Sequence, residues 1–267
     1  MAPRPRWPVV LSIAGSDSGG GAGIQADLKA FQALHAHGTT AITCLTAQSP
    51  AGVHDVLPAT PAFLRSQLEA LFDQLPPRAA KTGMLWNADL IGVVVEWWSS
   101  ARRPPLVVDP VMIATSGAAL LQPDAIEAIR SRLLPLARVA TPNLDEAAHL
   151  LGSPLRSVED LRQAARELHR RHRCAFLVKG GHLRGSPEAV DVLWDGRRER
   201  ILSAPFIRGA STHGTGCTYS AAITAGLATG LGLGAAVARA KLVITAAIRD
   251  SVRVARHHAL RPSAPPA

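Results

Sequence analysis

Two hydrophobic rhythms alternate along this chain. Residues 7–14, 39–48, 79–84, 104–112, 138–140 and 174–182 are short apolar or β-branched runs, and they predict buried strands. Between them lie segments with helical spacing. One follows the glycines that end at Gly23, and another opens at Thr60-Pro61 with Phe63, Leu64, Leu68, Leu71 and Phe72 on one face. Residues 85–99, 125–134, the stretch after Asn143 and residues 158–172 repeat the pattern. Residues 189–203 predict a hairpin around Asp195-Gly196, and helices over 217–230 and 235–255 close the chain. Strand and helix alternating through short connections predict a mostly parallel α/β sandwich, with helices on both faces of one sheet. Polar motifs fall after the strands, hence on the edge where open α/β sheets bind ligands.

The 267 residues are 47% apolar, ample for a sizeable core. The expected organisation is a flexible arm over residues 1–8, a single domain over 9–255 and a disordered tail over 256–267. No run approaches the length that crosses a bilayer, and the Pro/Arg-rich start has no apolar stretch behind it, so the expectation is a cytoplasmic protein with no membrane partner. Cys44, Cys174 and Cys217 are odd in number and lack a C-x-x-C pair, which suggests neither disulfides nor zinc. A formal charge of +9 raises the question of nucleic acid. Yet Arg162, Arg166, Arg170, Arg171 and Arg173 interleave with Glu159, Asp160 and Glu167 and have no aromatics among them, which reads as a solvated helix face and no nucleic-acid partner.

Candidate chemistry centres on residues 211–219, S-T-H-G-T-G-C-T-Y, where a loop turns into a small-residue helix. Amides of Gly214, Thr215 and Gly216 can converge there on an anion, near the positive end of the helix dipole. Cys217 in the first turn is expected to have a lowered thiol pKa for the same reason. A glycine-rich connection with a small buried cysteine explains the stretch as well. The glycine loop after the first strand fails the Walker pattern, because Gly23 is followed by Ile24. It matches G-x-G-x-x-A but lacks the downstream ribose-binding acid, so it is read as backbone for close ligand approach, with Asp17 before it and Asp27 after it. Asp27 on a first helical turn is ordinarily a dipole-friendly carboxylate.

Five further residues stand at strand ends or just beyond them. Gln48 can read the edge of a heterocycle, since its amide both donates and accepts. Asp109 is the first polar residue after a buried run, although an Asx turn before Pro110 accounts for it equally. Asn143 and Glu146 share a helix face in a way that suits a water-rich Mg²⁺ site, and equally suits a capping box. Lys179, followed by two glycines, can reach a phosphate.

In chain order, A-G-S-D-S-G-G-G-A-G-I-Q-A-D-L-K, L-T-A-Q, K-T-G-M, V-D-P-V-M, T-P-N-L-D-E-A, V-K-G-G-H and H-G-T-G-C-T resemble the hydroxymethylpyrimidine kinase/phosphomethylpyrimidine kinase family of thiamine biosynthesis. The resemblance implies a ribokinase-like three-layer fold and Mg-ATP-dependent phosphorylation of 4-amino-5-hydroxymethyl-2-methylpyrimidine to the monophosphate and then the diphosphate. It makes Gly214, Thr215 and Gly216 the anion hole for the transferred phosphoryl and puts Cys217 where the wider superfamily has an aspartate base. It sets Lys179 on phosphate oxygens and Asp109, Asn143 and Glu146 around Mg²⁺. Gln48 reads the pyrimidine, Met84 packs on its ring, and Asp27 lies near its polar edge or hydroxymethyl group. The chain departs from the family at Ser49, commonly Asn, and after Ala255, where Arg256, His257 and His258 replace a G-H-G-P-like segment. Relatives of this kind and the Trp97-Trp98 pair suggest a homodimer. Two alternatives share the fold: a pyridoxal kinase and a catalytically silent vitamer-binding protein.

Overall fold

A computed structural model describes residues 6–100, 103–112, 121–181, 183, 187–207 and 213–265. Of the positions singled out above, residues 1–5, His182, Ser211 and Thr212 lie outside this set. The chain begins with β1 (Val9–Asp17), α1 (Gly23–Ala33), β2 (His37–Ser49), β3 (Gly52–Pro58), α2 (Pro61–Gln74), β4 (Ala79–Thr82) and α3 (Ala88–Trp98). Next come β5 (Leu106–Val108), α4 (Pro123–Ala128) running on through π and 3-10 turns to Leu136, β6 (Val139–Ala140), α5 (Leu144–Leu151) and α6 (Val158–His172). The chain then forms β7 (Ala175–Lys179), β8 (Glu188–Trp194), β9 (Glu199–Pro205), α7 (Thr215–Ala228), α8 (Leu233–Arg249), β10 (Val252–Val254) and β11 (His257–Ala259).

The large sheet runs β3-β2-β1-β4-β5-β6-β7-β8-β9, parallel from β2 to β7 and antiparallel at both flanks. Its central strands are apolar on both faces because helices cover both. Leu11, Ile13, Leu106, Val108, Phe176 and Val178 face one cluster with α2 to α6, while Val10, Val107, Val139 and Leu177 face the other with α1, α7 and α8. This is the three-layer sandwich that the alternation implied.

Local chemistry explains the ends of elements. Thr60 Oγ1 accepts from Phe63 N at 3.2 Å to start α2, and Ser157 with Asp160 forms the capping box of α6. The α6 arginines sit in ion pairs: Arg162 and Arg166 with Glu199, Arg170 and Arg171 with Glu167. Trp98 is buried and donates to the Pro104 carbonyl, and Trp97 and Phe72 clasp Arg103, so this pair belongs to the fold's interior and its margin. Two expectations need correction. The last helix stops at Arg249, not 255, and the region expected as a disordered tail carries β11, with Leu260 and Ala264 packed on the α1/α7/α8 cluster.

Candidate active site

The sheet order reverses between β1 and β4, and such a switch point opens a crevice at the carboxyl ends of those strands. Asp17, the last residue of β1, shapes the loop there. Its Oδ1 accepts from Gly19 N at 2.8 Å, its Oδ2 from Gly21 N at 3.0 Å and Ala22 N at 2.8 Å, and His213 Nε2 lies 3.1 Å from Oδ2. Burial would raise this carboxyl, but the bonds from His213 and the loop amides outweigh it and hold it below its ordinary value. The first glycine loop is thus tied to the start of α7. Contact is close enough to demand glycine: a Cβ on Gly214, at φ +79°, would stand 1.8 Å from the Gly21 carbonyl oxygen.

Thr215, Gly216 and Cys217 form the first turn of α7. A Cβ on Gly216 would lie 3.3 Å from Lys179 Nζ and 3.6 Å from Asp109 Oδ2, so this turn faces both charges. Lys179 Nζ donates to Asp109 Oδ1 at 3.1 Å, Thr141 Oγ1 to the same oxygen at 3.0 Å, and Ser220 Oγ to Oδ2 at 3.2 Å. Burial works against the charge on Asp109, yet the Lys179 and Lys81 ammoniums pull its carboxyl below the ordinary range. Helix N-terminus, ammonium and carboxylate meet at one place, although they come from strands and a helix far apart in sequence. Such a constellation can hold a polyanion and neutralise charge that moves during reaction.

Three sequence readings change here. The Cys217 thiol is not lowered but pushed up to about 11, because burial outweighs the help of Lys81, and Asp27 and Asp109 add to the rise. Asp27 does not reach a ligand face: it is fully buried, accepts from Ser12 Oγ at 2.6 Å and pairs with Lys81 Nζ at 2.8 Å. Asn143 and Glu146 form the capping box of α5, Asn143 Oδ1 accepting from Glu146 N at 2.9 Å and Glu146 Oε2 from Asn143 N at 2.8 Å. The Asn143 amide oxygen is therefore spent on the cap. Glu146 stays near the charged cluster, and burial pushes it up to about 7 against the pull of Lys179.

Gln48 and Met84 sit on the other flank of the crevice. Cys44, Thr46 and Gln48 alternate onto one face of β2, with Thr46 Oγ1 donating to Gln48 Oε1 at 3.1 Å, and Cys44 Sγ lies 4.0 Å from Met84 Sδ. A Cβ on Gly15 would fall 2.7 Å from Cys44 Sγ and 3.6 Å from Met84 Sδ, so bare backbone faces these sulfurs. Among the described residues no three His, Cys, Asp or Glu side chains form a metal cluster. Two carboxylates near Lys179 fit Mg²⁺ of the kind bound mostly by water and substrate phosphates rather than by a protein cage. Sequence reasoning gave no role to Lys81, Thr141 or Ser220; for Lys81 the signal was present, a lysine inside a strand of a chain with only four.

The family pattern described as phosphomethylpyrimidine kinase matches residues 17–261. The chain belongs to that family. This kinase is 46% identical over 250 residues to hydroxymethylpyrimidine/phosphomethylpyrimidine kinase of Synechococcus elongatus, covering 92% of this chain and 94% of that one. It is also 46% identical over 257 residues, 96% of its length, to the thiamine biosynthesis bifunctional protein ThiED of Geobacter sulfurreducens, of which it spans 52%. Its fold superposes on an ADP complex of Bacillus subtilis pyridoxal kinase with a TM-score of 0.88 at 39% identity, covering 97% and 98% of the two chains. The ribokinase-like architecture and the use of ATP follow from the family and from such neighbours. No helix among the described residues is long and apolar enough to cross a membrane.

Proposed function

We propose that this kinase transfers the γ-phosphoryl group of ATP to the hydroxymethyl oxygen of 4-amino-5-hydroxymethyl-2-methylpyrimidine, and a second one to the resulting monophosphate. The observation that carries this reading is the meeting of the α7 first turn with Lys179 and Asp109 at Gly216. Phosphoryl transfer needs positioning and charge neutralisation more than covalent help. Amides of Gly214, Thr215 and Gly216, with the Lys179 ammonium, would hold the equatorial oxygens of the group in flight. Asp109 and Glu146 would hold Mg²⁺, largely through water, and the bound ion would neutralise phosphate charge. Gln48 would meet the pyrimidine edge and Met84 its face, while Asp27 supports the site from behind through Lys81.

The raised thiol makes Cys217 a neutral hydrogen-bonding neighbour of the hydroxymethyl group at pH 7 rather than a preformed thiolate. A loose transition state tolerates this, since the hydroxyl proton need not leave before the phosphorus is attacked. Three free cysteines fit the cytoplasm, and we place the protein there. A homodimer is proposed through the exposed Leu45 and Leu57, paired across β2 and β3.

The likeness to a pyridoxal kinase supports a second reading, phosphorylation of pyridoxal. The four lysines, the side chains that could hold the aldehyde as an imine, all have other partners, although transfer to the hydroxymethyl oxygen itself needs no imine. Lys29 donates to Gly20 O, Lys81 pairs with Asp27, Lys179 with Asp109 and Lys241 with Asp191. The test is ADP release from Mg-ATP with each vitamer alone, for the native chain and for Lys179→Met. Pyrimidine-dependent release that falls at least about 100-fold in the variant supports the proposal; release that ignores the pyrimidine, or survives the substitution, refutes it.

A further inference from the structure

A further buried ion pair, besides Lys81–Asp27 and Lys179–Asp109, lies next to the site but takes no part in the chemistry above. Asp191 on β8 and Lys241 on α8 are buried, with Asp191 Oδ2 accepting from Lys241 Nζ at 2.7 Å, and Lys241 Nζ also donating to Ala189 O at 2.8 Å. The other carboxylate oxygen, Oδ1, accepts from the Gly180 amide at 3.0 Å. Gly180 immediately follows Lys179. The β7–β8 ladder ends with Lys179 opposite Asp191, so the Gly180 amide falls one residue beyond strand pairing, and the Asp191 side chain takes over as its acceptor. The fit is tight, since a Cβ on Gly180 would stand 2.3 Å from the Val190 carbonyl oxygen. Tyr219, one turn into α7, also neighbours Asp191, and burial together with that charge pushes its phenol up.

A pair needed only to join β8 to α8 has no reason to be charged, because well-packed apolar residues often serve as well. What an apolar pair could not do is hold the Gly180 amide. We propose that Asp191, anchored by Lys241, is a positioning residue for phosphoryl transfer: it fixes the backbone after Lys179 and so the place of the ammonium against Gly216 and Asp109. The inference rests on the role proposed for Lys179.

Two double variants separate anchoring from packing. Asp191→Asn with Lys241→Met removes both charges and keeps a carbonyl oxygen for Gly180; Asp191→Leu with Lys241→Met removes the charges and the acceptor together. Both are assayed with the hydroxymethylpyrimidine and Mg-ATP, beside urea unfolding of each. The Asn variant should keep kcat and both KM values within about threefold, since its acceptor remains. The Leu variant should lose about 100-fold in kcat, with KM raised for ATP and unchanged for the pyrimidine. It should stay folded in the assay while unfolding at a lower urea midpoint than the Asn variant, because the Gly180 amide is left without its acceptor. Should the Leu variant not fold, Asp191→Ala with Lys241→Met asks the same question. Equal activity of the two double variants, whether high or low, overturns the proposal. Lys179→Met tells the two readings apart: if it retains turnover, the role of Lys179 fails and this inference with it, whereas an inactive Lys179→Met beside a fully active Leu variant sinks the Asp191 inference alone.

Discussion

Replacing Lys81 by methionine should strip this kinase of a large part of its stability. Lys81 Nζ lies 2.8 Å from Asp27 Oδ1, and both side chains are 0% exposed. Burial disfavours each charge alone, and the Asp27 carboxylate is what keeps Lys81 protonated in spite of it. Without the ammonium, Asp27 keeps only the Ser12 hydroxyl at 2.6 Å. Coulomb attraction at this distance is about 6 kcal/mol for an effective dielectric of ~20. Measured losses on breaking buried pairs are about 3–5 kcal/mol, a large share of the roughly 5–15 kcal/mol that holds a protein folded. The midpoint of thermal unfolding should fall by roughly 6–15 °C.

The sign of its pH dependence follows. In the variant, Asp27 loses its counter-charge, so its folded pKa rises further above the unfolded value. That added cost is present at pH 8 and shrinks as acid lets the buried carboxyl take up a proton. Urea unfolding of Lys81→Met at pH 8 and pH 5 measures both effects. Removing both partners, as Asp27→Leu with Lys81→Met, should recover most of the loss. A single variant within about 1 kcal/mol of the native protein at pH 8 would refute the reasoning, since that is the scale of an exposed pair.

Other consequences can be checked directly. Gly214→Ala puts a methyl 1.8 Å from the Gly21 carbonyl oxygen at φ +79°, so it should part the two loops and lower kcat by about 100-fold, measured by ADP release. Cys217, pushed up to about 11, should react slowly with iodoacetamide at pH 7 and progressively faster toward pH 11, as followed by peptide mass; a plateau reached below pH 8 would contradict a neutral thiol. Asn143→Ala removes the oxygen that receives the Glu146 amide and should cost about 1 kcal/mol in urea unfolding.

Apolar periodicity was enough to read the parallel strands, because β7, A-F-L-V-K, can be buried only between two helix layers, and Lys179 then had to stand at its exit. It was not enough for β3, G-V-H-D-V-L-P, an edge strand with exposed residues on both sides of its pleat and hence no clean alternation. The site was legible as a set of strand ends, but not as electrostatics. Sequence position put Cys217 at a helix N-terminus and suggested a lowered thiol; burial beside Asp27 and Asp109, which only the folded chain creates, reverses the direction. The Asn143–Glu146 spacing served metal and cap equally, and the backbone geometry chose the cap. Lys81 and Asp27 stand 54 residues apart, so no local pattern could pair them.

The most direct measurement is a competition: equal amounts of the hydroxymethylpyrimidine and pyridoxal with limiting Mg-ATP, and the phosphorylated products resolved by mass. The account predicts the pyrimidine monophosphate followed by the diphosphate, with pyridoxal left largely untouched. Pyridoxal phosphate as the main product would contradict it and reassign the Gln48 and Met84 flank of the crevice to a different ring.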